Sequence, residues 1–262
     1  MLFESILNRR SVLRILAGGA AVAAGNEPVR ANQARIARLI GGASALPAIA
    51  QRIDFISRAL IGTPYRGHTL VGGPRQPERL VVRDDAFDCV TFCETVLAAA
   101  MARVPDQFEM TLRLIRYRDG SVEWRARNHY FSEWSERNIT NRACRPVAWP
   151  GATATDKTLN WMPELGPRRM SLLGISRASL LANKQLLATG DIIGFLSQRP
   201  KLDYFHTGFV IVADDGSLFL RHAAKSRQRV LDEPLGRFLS YNRVHAVTLL
   251  RPQETQGDDV IV

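Results

Sequence analysis

The chain has only three cysteines among its 262 residues, and their spacing fits neither a zinc motif nor a disulfide framework. It also lacks internal repeats, a glycine-rich phosphate-binding loop, a Gly-x-Ser-x-Gly elbow and a His-Glu-x-x-His helix. These absences argue against the corresponding nucleotide-binding proteins, serine hydrolases and zinc hydrolases. We therefore expect no metal site and no cofactor.

No apolar run in the sequence is long enough to cross a bilayer as a helix. The first 31 residues nevertheless have the order of an export signal. Arg9 and Arg10 precede a short Gly/Ala-rich run, and Val29-Arg30-Ala31 offers a small-residue cleavage site. The pattern resembles a twin-arginine signal. We predict a periplasmic or exported protein without stable membrane insertion. The alternative interpretation of this N-terminal segment is a frayed amphipathic helix.

One cysteine stands at the start of a predicted helix. Asp88 and Cys89 follow an extended segment, and strong helix formers fill residues 94–103 before Pro105 stops them. The free N–H groups and the dipole of a first helical turn stabilise negative charge, which predicts a lowered thiol pKa and an oxyanion site. An inert buried thiol is the alternative for Cys89. For Cys93 and Cys144 we expect that structural role.

A cysteine nucleophile needs a histidine base nearby in space. Residues 204–212 and 218–222 read as a β-hairpin around an Asp-Gly turn. If Ala213 faces Ser217, then Gly208 faces His222, and His206 and His222 become diagonal neighbours on one face. A two-residue loop would send the two rings to opposite faces. In the first register His206 can deprotonate Cys89, His222 can orient His206, and Gly208 leaves space beside the base.

Helical spacing leads the chain and strands follow, which predicts an α+β fold. We expect an export signal at 1–31, a single catalytic domain at 32–252 and a frayed polar tail at 253–262. Residues 146–165 read as a loop, and each of the four tryptophans reads as a core residue. The net charge of +10 suits an anionic partner, but the arginines are scattered, so we expect a solvated basic surface and no nucleic-acid binding.

Several separated motifs resemble the NlpC-type cell-wall cysteine hydrolases of the papain-like superfamily. The Cys89–Glu94 run and the segment 128–134 look like the branch of N-acetylmuramoyl-L-alanine amidase-like proteins. The resemblance implies a papain-like fold in which the nucleophile helix packs on an antiparallel sheet. The matching motifs are Gly62-Thr63-Pro64-Tyr65, Phe87-Asp88-Cys89, the Gly190–Phe195 strand, His206-Thr207-Gly208 and His222-Ala223-Ala224.

The same resemblance implies an amidase that acts on peptidoglycan-derived muropeptides, with Cys89 as nucleophile, His206 as base and His222 as third member. It also implies that Tyr65, Asp88, His129 and Tyr130 are substrate-binding residues, although Asp88 is equally suited to cap the helix. Two alternatives stay open. One is an endopeptidase that cuts the peptide stem after D-glutamate, and the other is a non-catalytic basic exported binding protein.

Overall fold

The computed structural model describes residues 29–31 and 34–254. Helices dominate the first half and strands the second, so the predicted α+β class is confirmed. The helices are α1 (Ala34–Ala43), α2 (Ile49–Ala59), α3 (Cys89–Met101), α4 (Phe108–Arg116), α5 (Phe131–Thr140), α6 (Arg177–Ala182) and α7 (Leu235–Tyr241). The strands are β1 (Val29–Ala31), β2 (Val71–Gly73), β3 (Gln76–Arg79), β4 (Val81–Arg83), β5 (Cys144–Pro146), β6 (Thr153–Leu159), β7 (Arg168–Ser176), β8 (Ile192–Leu196), β9 (Tyr204–Val212), β10 (Leu218–Ala224), β11 (Arg229–Pro234) and β12 (Ala246–Pro252).

Eight strands form one antiparallel sheet in the order β11-β10-β9-β8-β12-β7-β6, and β5 also pairs with β12. Its two faces carry separate cores. One core joins the sheet to the N-terminal helices, and the other joins it to α6 and α7. The antiparallel sheet is therefore confirmed, and the helix that begins at Cys89 packs on it.

Helix α3 is the centre of the first core. Every residue from Thr91 to Met101 is buried, because the helix is apolar on all sides. Phe92 packs edge-on against Phe209 of β9, with ring centroids 5.8 Å apart. This contact fixes the first turns of α3 against the second half of β9.

Glu94 is a carboxylate buried within α3, and Arg116 of α4 neutralises it. Arg116 Nε donates to Glu94 Oε2 at 2.8 Å, and both side chains are about 2% exposed. A second guanidinium nitrogen, Nη1, donates to the carbonyl of Val81 at 2.7 Å. The pair therefore links α3, α4 and β4, the strand that leads into the Cys89 segment.

The prediction of a loop at residues 146–165 is partly wrong. It contains β6, which pairs with β7 over seven residues from Thr153↔Gly174 to Leu159↔Arg168. The side chains of β6 are exposed apart from two, so no inward-facing apolar alternation marks the strand in the sequence. Three tryptophans are buried as expected, but Trp161 is 55% exposed.

The structure describes part of each predicted terminal segment. Most of the predicted export signal, residues 1–28, lies outside the described residues; residues 29–31 form β1, which pairs in parallel with β4. In the predicted frayed tail, Glu254 accepts a bond from Arg52 at 2.6 Å and also caps Ile49 at the start of α2. Within the described part of the chain, no helix has the length and apolar character needed to span a membrane.

Replacing Glu94 with Leu should destabilise the protein by about 3–5 kcal/mol, because it leaves Arg116 buried without its counter-charge. The free energy of unfolding in urea measures the loss. Replacing both residues, as Glu94→Leu with Arg116→Met, should recover much of it. The control is Arg58→Ala, which removes a 66% exposed partner of Asp54 and should cost at most about 1 kcal/mol. Equal losses in Glu94→Leu and Arg58→Ala would contradict this account of the buried pair.

Candidate active site

Asp88 caps α3 and thereby positions Cys89 in its first turn. The Asp88 carboxylate accepts from the Thr91 amide at 2.8 Å, and the Asp88 amide donates to Thr91 Oγ1 at 2.9 Å. The capping role, which the sequence left equal to substrate binding, is therefore present. Cys89 is partly exposed, whereas Cys93 and Cys144 are buried and have the structural placement expected of them.

The expected fall in the pKa of Cys89 is wrong. Burial, and after it the neighbouring Asp88 carboxylate, raise the pKa of Cys89 from 9.0 to about 12. The backbone amides of Thr207, Val90 and Cys89 itself oppose this rise without overcoming it. The same residue that caps the helix thus disfavours the thiolate, and Cys89 is a neutral thiol at physiological pH.

The hairpin has the register that brings two imidazoles together. The Ala213 amide donates to Ser217 at 2.9 Å, and Leu220 pairs with Val210, as the longer loop predicted. His206 Nε2 lies 2.6 Å from His222 Nδ1. The predicted opening beside Gly208 is absent: a Cβ there would lie 2.8 Å from the Arg221 carbonyl oxygen and from Leu220 Cδ1, and 2.9 Å from His222 Cβ, so the neighbouring strand β10 fills this space.

An aromatic wall holds the histidine pair. Phe238 of α7 stacks on His206 and meets His222 edge-on, both with centroids 5.4 Å apart, and Phe195 stacks on His206 from β8. Burial lowers the pKa of His206 to about 3, helped by His222, and lowers the pKa of His222 to about 4 against the pull of Asp232. Both rings are therefore neutral at physiological pH.

Glu233 of β11 is a site residue that the sequence analysis missed. Its Oε2 lies 3.6 Å from His222 Nε2, which is fully buried and has no hydrogen-bond partner in the described chain. The register pairs His222 with Leu231, so Glu233 is its diagonal neighbour on the same face. The signal was present in the spacing of β10 and β11, but it requires the loop between them to be known.

The contact between Cys89 and β9, the strand that holds His206, is made with the backbone of β9. Its sulfur faces the amide of Thr207, the residue after His206, and the Thr207 side chain contacts Cys93 at 3.9 Å. No hydrogen bond joins the Cys89 thiol to the His206 ring among the described residues. The ring is partly exposed, and its Nδ1 has no partner in that part of the chain. The His206 ring, a proton acceptor, thus belongs to the residue just before Thr207, whose amide faces the Cys89 sulfur.

Tyr65 lies beside the nucleophile, where the family resemblance put it. The chain at Tyr65 forms a parallel bridge with Phe87, and the Tyr65 amide donates to Gln228 at 2.9 Å. Burial raises the pKa of its phenol, and the nearby Cys89 and Asp88 raise it further. The ring is partly exposed and can contact a ligand held at Cys89.

His129 and Tyr130 have local structural contacts. His129 Nε2 lies 2.7 Å from the Trp124 carbonyl, and burial lowers the pKa of His129 to about 4. Tyr130 is 2% exposed, and its hydroxyl accepts from the amides of Trp161 and Met162 at 2.7 and 3.0 Å. These bonds hold the loop after β6, and direct substrate contact by either residue stays a prediction.

Residues 29–31 and 34–254 contain no group of three His, Cys, Asp or Glu side chains placed to hold a metal ion.

Alkylation of Cys89 by iodoacetamide should be slow at pH 7 and should rise about tenfold per pH unit up to pH 10. Only the thiolate reacts, and a pKa of about 12 keeps its population small throughout that range. Peptide mass mapping of the labelled cysteine gives the rate at Cys89 separately from Cys93 and Cys144. A rate that is already constant between pH 6 and 8 would contradict a neutral resting thiol.

Comparison with known proteins gives the fold and the family of the chain. Its fold matches protein LPG0564 of Legionella pneumophila, with a TM-score of 0.73 and 22% identity over 83% of this chain and 93% of that one. An N-acetylmuramoyl-L-alanine amidase of Bacteroides uniformis matches with a TM-score of 0.68 and 23% identity over 84% and 100%. A search among curated proteins found no match.

At these identities the solved structures establish the fold alone. The family model reaches further, because it matches residues 55–247 and so includes Tyr65, Cys89, His206, His222 and Glu233. The chain therefore belongs to the AmiA-like family, described as N-acetylmuramoyl-L-alanine amidase-like.

Proposed function

We propose that this protein is a cysteine-dependent amidase that cleaves the bond between muramic acid and L-alanine in muropeptides. Its family indicates an amidase-like hydrolase with peptidoglycan-related substrates. The observation that carries the finer proposal is the placement of Cys89, at the N-terminus of α3, beside the strand that holds the buried His206–His222 pair. The site is of the NlpC type, as the resemblance implies, and the protein works in the periplasm or outside the cell, as the signal-like pattern of residues 1–31 indicates.

The hydrogen positions that suit this reaction connect His206, His222 and Glu233 in a row. His206 Nε2–H donates to His222 Nδ1, which leaves the lone pair of His206 Nδ1 free to accept the thiol proton. His222 Nε2–H then points to the Glu233 carboxylate. When His206 becomes an imidazolium, Glu233 stabilises the positive charge through His222.

The reaction starts from a neutral thiol and a neutral imidazole. His206 Nδ1 takes the proton as Cys89 Sγ attacks the lactyl carbonyl carbon, and the Cys89 backbone N–H donates to the oxyanion. The tetrahedral intermediate expels the alanine amine, which takes the proton from His206, and a thioester remains. Water attacks the thioester carbonyl carbon while His206 takes its proton. The C–S bond then breaks, the free carboxylate is released, and His206 returns the proton to Cys89 Sγ. The ring must approach the sulfur when substrate binds, since such bonds are often long in free enzymes.

Incubating the full chain with a purified disaccharide-tetrapeptide should release free disaccharide and intact tetrapeptide, identified by mass. Cys89→Ala should reduce turnover on the order of 10⁴-fold or more, because no other group can form the thioester. Cys144→Ala is the control; it removes a buried thiol remote from the reaction and should retain turnover.

Each other outcome contradicts part of this proposal. Cleavage inside the stem would favour the endopeptidase, and an uncleaved substrate would favour a binding protein. Undiminished cleavage by Cys89→Ala would exclude the cysteine mechanism.

Replacing Glu233 with Gln should lower kcat/KM about 10- to 100-fold, because it removes the carboxylate charge that lies 3.6 Å from His222 Nε2. The loss should fall mainly on kcat, because the imidazolium forms only during the reaction. Glu123→Gln, an exposed change of the same kind, is the control. An unchanged kcat in Glu233→Gln, or a loss confined to KM, would contradict a positioning role for Glu233.

A further inference from the structure

Six arginines line a cavity of about 240 Å³ on the surface. They come from the segment between α4 and α5, from α5 itself and from the start of β7. This arginine cavity shares no lining residue with the Cys89 site. The sequence analysis expected a scattered, solvated basic surface, and here the fold gathers residues that are up to 51 positions apart. The arginines are Arg118, Arg125, Arg127, Arg137, Arg168 and Arg169.

The acidic side chains of the cavity do not neutralise it. Glu133 is already engaged, because it accepts from the amide of His129 at 3.2 Å and pairs with Arg168. Arg127 pairs with Glu78 at 3.1 Å. Only Glu136 is left on the cavity wall, facing four arginines that form no salt bridge in the described part of the chain: Arg118, Arg125, Arg137 and Arg169.

Gathered guanidinium groups repel one another, and a bound anion removes that repulsion. The choice of residue is also informative, since every cation lining the cavity is arginine. The guanidinium presents a planar fork of N–H donors that matches two oxygens of a carboxylate or phosphate, whereas lysine offers a point charge. Arg137 is partly buried, so its charge is less screened by solvent than that of its exposed neighbours.

We propose that the arginine cavity binds a small multivalent oxyanion, a molecule with two or more carboxylate or phosphate groups. The volume suits a compact ligand, being below the usual range for drug-sized molecules. Four unpaired guanidinium groups can receive at least two such groups. The ligand is bound independently of the Cys89 chemistry.

Isothermal titration calorimetry of the full chain at low salt tests this, with citrate and pyrophosphate as multivalent probes and acetate as a monovalent one. Citrate or pyrophosphate should bind saturably and far more tightly than acetate, and the affinity should fall as salt rises. The tighter of the two probes identifies carboxylate or phosphate as the preferred group. The absence of saturable binding by both would overturn the proposal.

The variant Arg125→Gln/Arg169→Gln should weaken binding at least tenfold. Its matched control is Arg75→Gln/Arg199→Gln, which removes the same charge from exposed residues outside the cavity. An equal loss in both variants would mean that overall charge, and not the cavity, attracts the anion. The unfolding temperatures of the two variants in anion-free buffer should agree, because the replaced arginines hold no salt bridge.

Two further variants isolate the geometry of the cavity. Arg137→Lys keeps the charge but loses the fork, so it should weaken binding several-fold; unchanged affinity would contradict a built site. Cys89→Ala should bind the anion like the wild type. Failure of the amidase proposal and failure of the arginine cavity therefore give separate results.

Discussion

The complete burial of α3 is the constraint on which the rest of the fold depends. An apolar helix of thirteen residues needs cover on every side, and α1, α2, α4 and the sheet together provide it. Only its first turn reaches the surface, so the position of Cys89 follows from the packing of residues behind it. The Phe92–Phe209 contact then holds that end of the helix against β9, and Arg116 compensates the charge of Glu94, the one acidic group that the helix carries inside.

Local signals in the sequence predicted the parts of the site that depend on a few neighbouring residues. The Asp88 cap needs only Thr91 three residues later, and the hairpin needs only the turn at residues 214–216. The contact between His206 and His222 followed because strand alternation makes the face of each residue predictable once the loop length is known. The catalytic roles rest on the resemblance and on the family, which spans these positions.

The remaining features depend on contacts between distant segments. The pKa of Cys89 is set by the burial of its surroundings, and first-turn N–H groups alone do not reveal that burial. Phe238 and Glu233 join the histidines through α7 and β11, whose positions the motifs do not contain. The exposed strand β6 has no inward-facing apolar pattern, and the arginine cavity assembles from three separate segments. In each case a short sequence window contains one participant and omits the others.

The protonated state of Cys89 also bears on its chemical durability. Peroxide and disulfides react with the thiolate, and the ladder to sulfenic and sulfinic acids begins from that form. A nucleophile that loses its proton only as substrate is attacked presents little thiolate to oxidants between turnovers. The two other thiols are buried, and burial raises the pKa of each of them as well. Oxidants therefore meet little thiolate at any of the three cysteines while the protein is at rest.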